Sequence, residues 1–366
     1  MLTLGTCQEK VKAGVSLGRA KSTETGWEQW LLFCCQMALD PFLEAFEDKI
    51  PYLQVFGQRV RDGELAKDGN PVRARTAEDY IRFVAQTFLG VGARDPRHGR
   101  HDKIDFRIGR MIAAWKKEDP PPKRVKPIPV QVIRRILFVA STSSCPMVQG
   151  NADMICIAFF FLLRPGEYTD ETGQDKHPFR LCDVQLFYGR VRIDLATASV
   201  AQIRQATFAT LTFTTQKNGV PNEVIGLGLS GNPHVCPVKS VIRRVLHLRA
   251  HNAPMDVPLA RVMGMTRKVT AATISQTLKT AVAVIGPELG FLPKDISARS
   301  LRAAGAMALL LARVDTDIIS LIGRWRSDEM LRYLHVQAAP LMAEYSRRML
   351  EAGSYSLLPH HDVPMH

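Results

Sequence analysis

Apolar residues in the first third of the chain recur at helical spacing. In "GWEQWLLFCC", Trp27, Trp30, Leu31 and Cys34 fall at i, i+3, i+4 and i+7, which predicts one buried helix face. "RARTAEDYIRFVAQTFL" repeats the pattern with Tyr80, Ile81, Val84 and Phe88. Thr76 to Asp79 resembles a capping box at its start, with Arg73 and Arg75 just ahead. A third helix is expected from about Ile104 to Lys116, its stripe made by Ile104, Ile108, Ile112 and Trp115, with Arg107 and Arg110 off the stripe. Residues 23–117 therefore read as a helical module with cations on its outside, and residues 1–22 as a loose leader.

The periodicity stops at "EDPPPKRVKPIPV", residues 118–130. Five prolines in this stretch exclude helix and central strand, leaving a stiff extended linker that carries Lys123, Arg124 and Lys126. Beyond it, a helix is expected over about Val130–Ala140, then a buried helix ending at Leu163. "DVQLFYGRVRIDL" and "ATFATLTFTTQKNGVPNEVIGLG" alternate β-branched and aromatic residues as strands do, and Asn218-Gly219 is a hairpin signal. Helices resume near Pro237–Arg249, Thr270–Ile285, Ala298–Arg313 and Thr316–Ile322. The fold class is mainly α with a small antiparallel β-sheet, the second domain running over 131–352 and a tail over 353–366. The tail, with three histidines but no periodicity, reads as a frayed end rather than a metal site.

Composition narrows the function. The formal charge is +13 and the pI about 9.6, which favours a polyanionic partner such as nucleic acid. The longest apolar run, Met154 to Leu163, is too short to cross a bilayer, and the first twenty residues lack the apolar core of a secretory signal. Seven cysteines without a CxxC or a Cys/His cluster point to free thiols in a reducing compartment and to no bound metal.

Four separated places concentrate chemistry. Arg164 closes an apolar helix in "FFFLLRPGEYTD"; a guanidinium at that seam needs an anion, and Glu167 is either its structural partner or the group that orients it toward an external one. Lys217 precedes the Asn-Gly turn, as a solvated bystander or as a phosphate-directed cation. Arg299 and Arg302, three apart, share one helix face near its N-terminus, where they make either a solvated basic face or a phosphate-sized site; Leu301, Ala308, Leu309 and Ala312 form the apolar face. In "IGRWRSDEMLRYLH", Gly323, Arg324 and Trp325 precede Tyr333, a weak nucleophile at neutral pH without cationic neighbours.

The order Arg with R-x-x-E, hairpin Lys, x-x-x-Arg opening a helix, then Gly and a Tyr ten residues later resembles the tyrosine recombinase and phage-type integrase family. "LLRPGEYT" and "GRWRSD" are closest in wording to recombinases of eukaryotic mobile elements, the DIRS-type retroelements and Cryptons. The resemblance covers roughly residues 130–350 as the catalytic domain, with the helical module as a core-binding domain. It implies that Arg164 and Arg302 clamp a scissile phosphate without metal or other cofactor. Tyr333 would attack to give a 3′-phosphotyrosine, Lys217 would protonate the leaving 5′ oxygen, and Glu167 and Trp325 would support the site. Two positions depart from the family pattern: both family histidines are arginines here, Arg299 and Arg324, and arginine is no general base. His335, two residues past Tyr333, points away from it on a helix. The resemblance further implies double-stranded DNA as partner, with Arg73, Arg75, Arg107, Arg110, Lys123, Arg124 and Lys126 as backbone contacts. It also implies a tetramer on DNA built by a C-terminal segment such as residues 338–352, and nuclear residence. A non-catalytic DNA-binding relic and a type IB topoisomerase-like enzyme are the competing readings.

Overall fold

The computed structural model describes residues 14, 17–99, 102–121, 125–171, 173, 177–214 and 222–325, in two compact units, 1–123 and 124–366. The architecture is mainly α with one four-stranded antiparallel sheet.

The first unit contains α1 (Leu17–Gln36), α2 (Ile50–Arg61), α3 (Ala74–Gly90) and α4 (Phe106–Glu118). Its core joins Trp30 and Phe33 of α1, Leu53 and Phe56 of α2, Ile81 and Phe88 of α3, and Ile108 and Trp115 of α4. Each such side chain, removed from water, contributes roughly 1.5–3 kcal/mol. The two buried indoles keep their donors satisfied: Trp30 donates to the Pro41 carbonyl at 2.8 Å and Trp115 to Gln58 at 2.8 Å.

Several details differ from the sequence expectation. α1 begins at Leu17, inside the stretch read as a leader. Its inward stripe is Trp30, Phe33 and Cys34, and Leu31 is exposed. α2 was not anticipated, although Ile50, Leu53, Phe56, Gly57 and Val60 form its buried face. α4 starts two residues later than expected, so Ile104 lies outside the helix and is exposed. Thr76–Asp79 makes no capping box. The cap of α3 comes instead from Asp119, whose Oδ2 accepts from the Ala74 amide at 2.9 Å while Oδ1 binds Arg61 at 3.0 Å. Asp119 is thus the point at which the end of α4 holds the start of α3.

The second unit is built around α6 (Pro146–Phe160), which is buried without interruption from Ala152 to Phe159. α5 (Val130–Ser141), α9 (Pro237–Ala250), α10 (Ala271–Ile285) and α11 (Ser300–Leu311) all pack on it. Two short helices, α7 (Pro165–Tyr168) and α8 (Val200–Arg204), lie in the connections, and α12 (Thr316–Gly323) follows α11. The sheet has the order β2-β1-β3-β4, with β1 (Val184–Tyr188), β2 (Val191–Ile193), β3 (Phe208–Phe213) and β4 (Glu223–Gly228). Val184 pairs with Leu211 and Leu186 with Ala209, which places the alternating apolar set on the core face. β3 and β4 form the antiparallel pair expected around Asn218-Gly219, from Phe208↔Gly228 to Phe213↔Glu223; the turn itself and Lys217 lie outside the described residues.

The linker is less free than its composition suggests. Lys126 binds Asp295 through its ammonium at 3.0 Å and through its backbone amide at 3.0 Å, and Ile128 is buried in the core of the second unit. The predicted apolar face of α11 also shifts. Leu301, Ala303, Ala304, Gly305 and Ala306 are buried, whereas Ala308 and Leu309 are half-buried and Ala312 is exposed. Gly305 is required there because a Cβ would run into the Phe159 carbonyl and the Leu162 side chain. That close approach brings the start of α11 against the end of α6.

Candidate functional site

The end of α6 is where the charged residues converge. After Phe161 the chain takes a left-handed step at Leu162, φ +51°, which ends the helix and turns carbonyls outward. Carbonyls at a helix C-terminus carry partial negative charge and attract cations. Arg302 donates through Nη1 to the Leu162 carbonyl at 2.7 Å and through Nη2 to the Gly323 carbonyl. Its guanidinium also stacks on Trp325, 4.1 Å from the ring centroid. Gly323 has no substitute at this place, since the Trp325 ring occupies the volume a Cβ would need.

Arg164 is the N-cap residue of α7. Its amide donates to Glu167 Oε2 at 2.7 Å and its Nη1 to Oε1 at 3.1 Å. Arg324 reaches the same carboxylate from the other side, Nη2 to Oε2 at 3.0 Å. It takes a left-handed backbone, φ +58°, directly after α12, and that turn sends its side chain inward. There it lies 3.7 Å over the Phe213 ring and donates to the Phe161 and Leu162 carbonyls at 3.4 Å. Its side chain is 1% exposed, against 29% for Arg164. Burial, and then the charge of Arg164, pull the Arg324 pKa down to about 10, against the opposing pull of Glu167 and Glu223.

Two guanidiniums, Arg164 and Arg324, thus share the Glu167 carboxylate at ion-pair distance, and Arg302 joins them through the Leu162 carbonyl that Arg324 also uses. Each guanidinium has five N–H donors, more than the contacts just described consume for Arg164. The arrangement leaves an excess of positive charge beside a half-exposed arginine, which is the chemistry of an anion site. Tyr168 fixes the frame: it is fully buried and its hydroxyl donates to the Ala298 carbonyl at 2.8 Å, tying α7 to the start of α11. Burial drives its pKa well above the ordinary tyrosine value, so it stays a neutral donor.

The structure brings together Arg164, Glu167, Arg302, Arg324 and Trp325. It separates Arg299 from them: Arg299 is exposed at the N-cap of α11, while Arg302 is 4% exposed. The expected two-arginine face is therefore corrected. Positions three apart on a helix differ by about 60°, and here that offset divides a solvent-facing residue from one in the wall against α6. Lys217, Tyr333, His335, Lys123, Arg124 and residues 338–352 lie outside the described residues.

The outer cations also divide. Arg73, Arg75 and Arg110 are exposed with no ion-pair partner among the described residues. Arg107 is not a spare cation: it grips Asp48 at 2.7 and 3.1 Å and the α4 cap residue Asp105 at 2.9 and 3.0 Å. Those two carboxylates hold its pKa above the usual arginine value, and theirs fall below the usual carboxylate range. Lys126 is likewise committed, to Asp295. Phe213 and the Leu162 carbonyl are participants that sequence reasoning missed. An alternating strand gives no sign of which aromatic will face a guanidinium, and no side chain marks a backbone acceptor.

Among the described residues no group of His, Cys, Asp and Glu is placed to hold a metal ion, and no helix is long and apolar enough to cross a membrane. The six described cysteines are unpaired.

No protein-family model matches the chain, and no curated protein does. Solved structures similar to it include the Tn1549 transposon integrase in complex with circular intermediate DNA, at 16% identity and a TM-score of 0.46, over 81% of this chain and 85% of that one. XerA recombinase is similar over 89% of this chain and 98% of its own, at 13% identity and a TM-score of 0.38. XerH site-specific recombinase bound to its difH substrate is similar over 82% and 77%, at 12% identity and a TM-score of 0.43.

Proposed function

We propose that this protein is a DNA-binding tyrosine recombinase or integrase that cleaves and rejoins DNA through a covalent 3′-phosphotyrosine. The observation that carries the reading is the convergence of Arg164, Arg302 and Arg324 around Glu167 and the Leu162 carbonyl. They lie in the sequence order of the family the chain resembles, with Tyr333 eight positions after Trp325 and Lys217 four after Phe213. Arg164 holds a non-bridging oxygen of the scissile phosphate, where negative charge concentrates during transfer, and Arg302 holds the other once its donors are exchanged from the Leu162 and Gly323 carbonyls to the phosphate. The Tyr333 hydroxyl loses its proton to water as its oxygen attacks phosphorus, the 5′ oxygen departs and Lys217 gives it a proton; reversal by a new 5′ hydroxyl rejoins the strand without ATP. Arg324 is a positioning residue, its guanidinium consumed by Glu167 and backbone carbonyls. Exposed Arg299 faces the DNA backbone as a phosphate contact, as do Arg73, Arg75 and Arg110. The wording near Arg164 and Gly323 resembles that of recombinases of eukaryotic mobile elements, and on that reading the protein acts in the nucleus as a tetramer.

A nicked suicide substrate tests this: a covalent protein–DNA complex should persist on a denaturing gel and vanish in Tyr333→Phe. The second reading, a DNA-binding relic, is favoured by one observation, that arginines stand at both family histidine positions and leave no imidazole to take the tyrosine proton. Salt-sensitive DNA binding without any covalent complex selects the relic. Plasmid relaxation without sequence preference selects a topoisomerase.

A further inference from the structure

A second basic cluster lies along the N-terminal half of α6. The helix has 15 residues, so its start lies about 20 Å from the arginine cluster at its end. Along that half Gln149 and Asp153 of α6 face Lys239, Arg243 and His247 of α9 and Arg204 at the end of α8, around a pocket of about 540 Å³. That volume is in the range that holds a small organic ligand.

The charges are not balanced. Asp153 is nearly fully buried and is used by Arg243, whose Nε donates to it at 2.7 Å while Nη2 donates to Ser240 at 2.9 Å. Arg244 faces inward, giving its donors to the Leu259 and Arg261 carbonyls. His247 accepts from the Met263 amide at 2.9 Å, so its ring is a neutral wall. Arg204 and Lys239 remain, with no ion-pair partner among the described residues, and Arg243 is still 44% exposed. The α6 N-terminus, whose cap residue Cys145 makes no side-chain bond to it, adds its partial positive charge at the rim.

We infer that this pocket is a phosphate-binding site separate from the arginine cluster, with Arg204, Lys239 and Arg243 as its donors and a phosphate ester as its ligand. The ester belongs either to a free nucleotide or to a DNA backbone running past the pocket. The inference does not rest on the recombinase reading.

The test uses the full chain, inorganic tripolyphosphate and a DNA duplex of about 20 base pairs, sized to a short site. Calorimetry should detect tripolyphosphate binding below about 1 mM, and Arg204→Gln/Lys239→Gln should weaken it roughly tenfold or more, since 1.4 kcal/mol is tenfold and each charged contact exceeds that. Both residues are on the surface side of the pocket, so thermal unfolding should not move. Arg164→Gln should leave tripolyphosphate affinity within about twofold, because Gln149 and Asp153 lie about 18 and about 12 Å along the helix from Phe161. If duplex affinity and its salt dependence also fall in the double variant, the ester is a DNA backbone; if they do not, it is a free nucleotide. Equal tripolyphosphate binding by the wild type and the double variant overturns the site, as does no binding at about 1 mM, the weak end of specific affinity. Loss of that binding in Arg164→Gln overturns its separateness.

Discussion

Glu167 holds two guanidiniums, and removing its charge strands the buried one. Arg324 already bears a cost with Glu167 present: burial drops its pKa well below the ordinary arginine value, to about 10, a depression worth roughly 3–4 kcal/mol. Arginine is the group whose charged form is disfavoured, so this cost is present at every pH below about 10. Glu167→Gln keeps an oxygen that accepts from the Arg164 amide but takes away the carboxylate that Arg324 binds at 3.0 Å. Breaking one side of a buried pair costs roughly 3–5 kcal/mol; with the amide oxygen still accepting, the low end of about 3 kcal/mol applies. For a unit spanning residues 124–366, each kcal/mol lowers Tm by about 2–4 °C, so the expected drop is about 6–12 °C. Arg324→Met in the same chain removes the stranded charge and should restore more than half of the loss, giving strong non-additivity in a thermal double-mutant cycle. A Glu167→Gln protein melting within about 2 °C of wild type, or strictly additive single and double variants, would refute the reasoning.

His247 supplies a pH dependence. Burial first, then Arg244 and His251, lower its pKa from 6.5 to about 4, so between those values the unfolded chain binds the extra proton. Stability should therefore fall by about 2 kcal/mol as pH drops from 6.5 to 4, a figure reduced from about 3 for partial exposure; His247→Gln, keeping an acceptor for the Met263 amide, should flatten that slope in denaturant titrations across pH. Gly323→Ala should displace Trp325 from Arg302 and cost about 2 kcal/mol or more, seen as a lower Tm together with a change in tryptophan emission; unchanged emission would contradict the packing. Asp119→Ala should remove both the α3 cap and an Arg61 partner, costing about 1–2 kcal/mol by denaturant unfolding, whereas Asp62→Ala, an exposed residue bonded only to Gln58 through its side chain, should cost under about 0.5 kcal/mol.

Local interactions were legible. Helices α3, α5, α9 and α10 announce themselves by apolar spacing, because a 3.6-residue period is a property of neighbouring positions, and α6 by a continuous apolar run. The Arg164–Glu167 pair, three residues apart, is readable for the same reason. α2 carries the same period at Ile50, Leu53, Phe56 and Val60, and α1 extends back to Leu17 through first turns that have no apolar stripe to mark them. What tertiary structure decided was the fate of each charge. Arg107 and Lys126 look like spare cations until Asp48, 59 residues from Arg107, and Asp295 are brought to them. Arg299 and Arg302 look equivalent until the close approach at Gly305 buries one and leaves the other in water. Arg324 follows a glycine in a polar stretch, and nothing local says that its guanidinium will lie under Phe213 and beside Glu167, 157 residues away. Periodicity is written in adjacent residues. Burial and charge pairing are set by which distant segments meet, and for this chain that meeting is the packing of α11 and the end of α12 against the end of α6.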